Sequence, residues 1–202
     1  MDGASSSTVN VDPPSITTSS LKKLPEAIDE ALFVHEKFCF IIDPSEQGAR
    51  FLKYQTGSFV LADDISGSMN PKSLIRNLIG ALQHGRTLTI KFPTLAKLNE
   101  SLFDPELFPI EILDRMEFYK PEILSRLIYP NLGDPELEAF IPSQEFVFIM
   151  IVNEEFIPPH IAKVMHIIKV DDSTTNPSAQ SEKSSDDLDN VASLYVLVVV
   201  LV

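Results

Sequence analysis

The sequence predicts an α/β fold built on a mainly parallel five-stranded sheet, and three observations support this. Five short apolar runs each stop at a turn or an acidic stretch, as strands covered on both faces do. Segments of helical spacing lie between them, and this alternation indicates a parallel sheet with right-handed crossovers. One of those segments marks both of its own ends, with Asn70 as N-cap, Pro71 at the first helical position and Gly85 where a left-handed stop belongs.

Taken in chain order, residues 1–24 hold Ser5-Ser6-Ser7-Thr8 and Thr17-Thr18-Ser19-Ser20 around Pro13-Pro14. They contain too few large apolar groups to offset the entropy of ordering them, which predicts a disordered tail. No basic start followed by an apolar run marks a secretory signal. In 25–34, Ala27, Ile28, Ala31 and Leu32 recur at helical spacing, and Pro25 is tolerated in a first turn. The first strand, Phe38-Cys39-Phe40-Ile41-Ile42, stops at Asp43-Pro44. The second, Ser58-Phe59-Val60-Leu61-Ala62, ends in Asp63-Asp64. The helix that follows Asn70 places Leu74, Ile75, Leu78, Ile79 and Leu82 on one face, and the third strand, Thr87-Leu88-Thr89-Ile90-Lys91-Phe92, stops at Pro93.

Residues 94–130 predict helices near 95–102 and 123–128, separated by Asp104-Pro105, Phe108-Pro109 and Lys120-Pro121, because each proline drives the residue before it out of helical geometry. The fourth strand, Phe146-Val147-Phe148-Ile149-Met150-Ile151-Val152, ends at Asn153-Glu154-Glu155, and the fifth is Val164-Met165-His166-Ile167-Ile168-Lys169-Val170. The α/β domain is thus expected over 25–170. Residues 171–190 set Asp171, Asp172, Glu182, Asp186, Asp187 and Asp189 against Lys183 and read as a solvated linker. Residues 191–202 end in an apolar run from Leu194 to Val202, short of the about 20 residues a membrane-spanning helix needs, and read as a docked strand or a truncated end.

Composition restricts the function. With 202 residues, 44% hydrophobic and 22% charged, the chain has the material for one globular domain plus tails. Sixteen basic against 29 acidic residues give a net charge of -13, which opposes nucleic acid and anionic membranes as partners. The lone Cys39, among apolar neighbours, reads as a small buried hydrophobe in a reducing compartment, hence a cytoplasmic location.

The turn after the first strand is where a phosphate loop would sit. It reads Asp43-Pro44-Ser45-Glu46-Gln47-Gly48-Ala49-Arg50, with one glycine, and no Gly-Lys-Ser or Gly-Lys-Thr occurs in the chain. Glu46 would face a phosphate with like charge. Pro44, Gln47, Gly48, Ala49 and Arg50 therefore mark a degenerate phosphate-loop position, a structural turn with at most residual binding through helix amides. Lys91 has the wrong sign for a magnesium-holding residue, and Asp63-Asp64 supply too few ligands for a hard cation. The histidines His35, His84, His160 and His166 form no metal-ligand spacing; His166 reads as a hydrogen-bonded core residue and His84 as a cation at a helix C-terminus. Glu154-Glu155 could act as a general base but read more simply as a solvated loop, and no Gly-x-Ser-x-Gly elbow occurs. No catalytic residue, cofactor or metal is assigned.

The stretch Phe40-Ile41-Ile42-Asp43-Pro44-Ser45-Glu46-Gln47-Gly48-Ala49-Arg50-Phe51-Leu52 resembles the start of the fifth AAA+ unit of dynein heavy chains. The helix from Leu74 to Gly85 with Thr87-Leu88-Thr89-Ile90, and Phe146 to Val152 with Pro158-Pro159-His160 and Val164 to Val170, resemble later parts of that unit, over about residues 38–170. Met69-Asn70-Pro71 and Gly80-Ala81-Leu82-Gln83-His84-Gly85 are also similar to the C-terminal dynein-like segment of IQ motif and ankyrin repeat domain-containing proteins. This chain has neither the calmodulin-binding repeat nor ankyrin repeats, so calmodulin is not expected as a partner. Lys91 stands where the dynein unit has an acidic residue, and Ile151-Val152 stand where it has threonines.

The resemblance implies a degenerate AAA+, P-loop-like three-layer core without its helical lid. It further implies a catalytically inactive pseudo-ATPase that acts as a protein-interaction or structural module, with a cytoskeletal or ciliary partner. The alternative is a regulatory domain that binds nucleotide without hydrolysing it. An enzyme working through Glu154 and Glu155 is the least favoured reading.

Overall fold

The computed structural model describes residues 15–55, 58–61, 71–92, 108–132 and 140–171. In chain order these form β1 (Ile16–Ser20), a 3-10 turn (Leu21–Lys23), α1 (Leu24–Phe33), β2 (Cys39–Ile42), α2 (Gln47–Gln55), β3 (Ser58–Leu61) and α3 (Pro71–His84). Then follow β4 (Thr87–Phe92), a second 3-10 turn (Ile110–Leu113), α4 (Arg115–Phe118), α5 (Pro121–Leu132), β5 (Val147–Val152), α6 (Pro159–Val164) and β6 (His166–Asp171). The strands make one sheet in the order β1-β6-β2-β5-β4-β3, and every pairing is parallel.

The continuous apolar runs take the middle of this sheet because both of their faces are covered. All four residues of β2 are buried, as are five of the six in β5. Alternate side chains go to opposite layers. Cys39, Ile41, Ile149, Ile151 and Ile168 pack with α1 and α2, whereas Phe40, Ile42, Phe148, Met150 and Ile167 pack with the helices α3 to α6. The chain steps across the sheet one way from β1 through β2 to β3, then back through β4 and β5 to β6. With crossovers of a single hand, that reversal puts the early helices on one face and the later ones on the other. The connections leaving β2 and β5 therefore part to opposite faces, and the C-terminal ends of these two neighbours mark the switch point where ligands of open α/β sheets bind.

Several expectations need correction. The sheet has six strands, not five, because residues 16–24 are ordered rather than part of a disordered tail. A parallel ladder from Ile16↔Ile167 to Ser20↔Asp171 holds β1. That ladder uses backbone groups, so the shortage of large apolar side chains that argued for disorder does not prevent it. The last strand starts at His166 rather than Val164, since Pro158 and Pro159 open the short helix α6 that ends at Val164. The helix foreseen at 123–128 is longer, Pro121–Leu132. Gly85 ends α3 with φ +61, as its position required. Asn70, Asp63-Asp64, the helix foreseen near 95–102, and the segments from 172 onward lie outside the described residues. Among the described residues no helix is long and apolar enough to cross a membrane.

Candidate functional site

β2 brings the chain to this switch point at Asp43, whose N–H donates to the Val152 carbonyl at 2.8 Å. Asp43 is fully buried. Its Oδ2 accepts the Ala49 N–H at 2.7 Å, and its Oδ1 accepts the Ser45 hydroxyl at 3.1 Å. Ser45 Oγ in turn accepts the Gln47 N–H at 3.3 Å. The Glu46 N–H donates to the Asp43 carbonyl, and the Arg50 N–H to the Glu46 carbonyl. A helix N-terminus offers amides with no helical partner and the positive end of the dipole, the usual seat of an anion. At α2 the amides of Glu46, Gln47, Ala49 and Arg50 all end on oxygens of the protein itself.

A second carboxylate lies beside the first. Glu46 has φ +62, a left-handed conformation that costs a non-glycine residue about 1–3 kcal/mol. Its Oε1 accepts from Lys91 Nζ at 2.8 Å and from Asn153 Nδ2 at 2.8 Å. Lys91 is on β4 and Asn153 follows β5, so Glu46 ties the loop after β2 to the ends of two other strands. An ionised carboxylate accepts only, which orients the Asn153 amide with its NH2 toward Glu46 and leaves Asn153 Oδ1 buried without a protein partner.

The Lys91 hydrogen bond, followed by that of Asn153, holds the Glu46 carboxyl below its ordinary 4.5. A group lowered in the folded state stabilises the fold above its ordinary value, and that contribution is lost as pH falls below about 4.5 through the lowered value. Because the Glu46 side chain is 44% exposed and Lys91 only 15%, solvent screens part of the attraction. Glu46→Gln is therefore expected to give a shallower loss of urea-unfolding midpoint between about pH 5 and about pH 3 than the parent chain shows. Parallel curves would contradict the pairing.

With Gly48 set at the second glycine of a Gly-x-x-x-x-Gly-Lys-Ser/Thr loop, Asp43 takes the place of the first glycine, Ala49 that of the lysine and Arg50 that of the hydroxyl residue. A Cβ on Gly48 would lie 3.2 Å from Asp43 Oδ2 and 3.2 Å from Val170 Cγ2, so the glycine admits the aspartate rather than a ligand. The five residues singled out from the sequence separate here. Gly48 and Ala49 are buried against Asp43, while Pro44, Gln47 and Arg50 are exposed. Sequence reasoning missed Asp43 as an internal anion and the trio Glu46, Lys91 and Asn153. A signal was present, since Glu46 had the wrong sign for a phosphate and Lys91 the wrong sign for a magnesium-holding residue, and the two signs are opposite.

The other candidates lie elsewhere. Glu155 pairs with Lys169 at 2.7 Å on the surface. His84 is in the last turn of α3, and His160 is exposed on α6. His166 is a buried, hydrogen-bonded core residue. Cys39 is fully buried, and burial pushes its thiol up to about 12, which keeps it protonated and unreactive. Among the described residues no cluster of three or more His, Cys, Asp or Glu could hold a metal. A groove of about 140 Å³ beneath Phe51 and Gln55 lies at the far end of α2 from Asp43. Comparison with family models, with curated proteins and with solved structures found no match for this chain.

Proposed function

We propose that this chain is a catalytically inactive, AAA+-like module that works by binding another protein in the cytoplasm, with a cytoskeletal or ciliary partner implied by the dynein resemblance. One observation carries the inactive part of this reading. The place where a triphosphate would seat is filled by the chain's own carboxylates, Asp43 on the Ala49 amide of α2 and Glu46 on Lys91 and Asn153. An incoming phosphate would have to displace two anions already hydrogen-bonded there, with no lysine at Ala49 to attract it.

Calorimetric titration with ATP, with and without magnesium, is expected to show no saturable heat up to millimolar nucleotide, and phosphate release is expected to stay at background. Micromolar affinity with turnover would overturn the proposal. Binding without turnover would instead favour a regulatory nucleotide-binding domain.

A further inference from the structure

Among the described residues, the strand β1 is bonded along one edge only, to β6. At the start of that ladder lies His166, 5% exposed, with its Nε2 3.0 Å from Thr17 Oγ1 of β1. The His166 ring stacks on His35, centroids 4.4 Å apart and planes 13° from parallel. His35, just past α1, is exposed, and its Nε2 is 3.8 Å from Glu30 Oε1. Lys37, on the loop into β2, donates to the Lys163 carbonyl of α6 at 2.9 Å.

The groups facing His166 can thus be named element by element. α1 contributes the Glu30 carboxylate, and the loop after it contributes His35 and Lys37. β1 contributes only the Thr17 hydroxyl, and β2 contributes the uncharged Cys39 thiol opposite it in register. One carboxylate therefore faces two groups that are or can become positive.

We infer that the His35–His166 stack is an acid-sensitive latch on β1: with the His166 ring neutral the strand is held to β6 over it, and with that ring protonated a buried cation lies against His35 and Lys37, and the strand peels away to expose it to water. Burial, and after it His35, holds the His166 imidazole below its ordinary 6.5. The contribution of the neutral ring is complete above about 6.5 and is lost as pH falls through the lowered value. The domain can relieve that strain locally, because β1 is an edge strand of five residues whose side chains are mostly exposed. Its departure would leave the backbone of β6, with Ile167, Ile168 and Val170, as an open edge for a strand of another chain. The latch does not depend on the reading of the α2 site.

Amide exchange on the full chain tests it, with protection corrected for the intrinsic rate at each pH. Protection of residues 16–20 is expected to fall severalfold between about pH 7.5 and about pH 5.5, because the open state, in which His166 is freed from burial, takes up a proton more readily than the closed one. The amides of β2, β4 and β5 should keep theirs. His166→Gln, polar but not titrating, should hold β1 equally at both pH values. Should that variant not fold, His35→Gln at an exposed position removes the stacked imidazole and should diminish the fall, leaving the part that burial of His166 causes. Equal β1 protection at both pH values in the parent chain, a fall shared by the whole sheet, or an undiminished fall in a folded variant would overturn the latch.

Discussion

Phe38→Ala is expected to lower the free energy of unfolding by about 3–5 kcal/mol, the range for removing a buried aromatic ring. Phe38 has no solvent exposure and meets the rings of Phe146, Phe148 and Phe118 with centroids 5.6, 6.0 and 6.4 Å away, each edge to face. Those neighbours come from the entry to β5, from β5 itself and from α4, so the ring joins its own segment to two others distant in sequence. The void left by truncation could close only by moving rings that are themselves fully buried, which keeps the cavity term large. The Phe38 carbonyl also accepts the His166 N–H at 2.8 Å, so a shift of this backbone would disturb the β2–β6 ladder. Urea unfolding measures the effect, with Phe33→Ala as the control. Phe33 is 66% exposed at the end of α1, and its replacement should stay within about 0.5 kcal/mol. Similar small losses for both would mean that the cluster is not packed as described.

The contrast between what could and could not be read from the sequence follows from how local each signal is. The strands β2 and β5 were legible because a run such as Phe148-Ile149-Met150-Ile151-Val152 is apolar on both faces, and the end of α3 was legible because Gly85 is the residue a left-handed stop needs. β1 was not legible. Ile16-Thr17-Thr18-Ser19-Ser20 has a solvated outer side, and its partner lies about 150 positions away in β6. At the candidate site, the sequence identified the turn that would have to cradle a phosphate and the groups that turn lacks. It did not reveal what stands there instead. The Glu46 bonds reach 45 residues to Lys91 and 107 to Asn153, and only the strand order brings those three together. Burial of Asp43 was equally hidden, because Asp before Pro is first of all a turn signal.

Asp43→Ala is expected to cost about 2–3 kcal/mol, the combined effect of losing a helix N-terminal acceptor and a charged hydrogen bond in a buried place. The Ala49 N–H would be left without its acceptor, and the Ser45 hydroxyl would lose its own. Asp43→Asn should fall between parent and alanine, since an amide has one acceptor oxygen where the carboxylate uses two. Gly48 makes the geometry testable in a second way. A Gly→Ala change inside a helix gains about 0.5–1 kcal/mol when there is room. At Gly48 the new Cβ would meet Asp43 Oδ2 at 3.2 Å, and that carboxylate is pinned by Ala49 and Ser45 and cannot withdraw. Gly48→Ala alone should therefore destabilise. In the Asp43→Ala background the obstructing oxygen is gone, only the Val170 methyl has to yield, and the same change should become neutral or favourable. The resulting coupling in a double-mutant cycle should be about 1 kcal/mol in the sense that the double variant is more stable than the two single losses add up to. Strict additivity would mean that Asp43 and Gly48 do not share the space in front of α2, and the self-filled anion seat would lose its geometric basis.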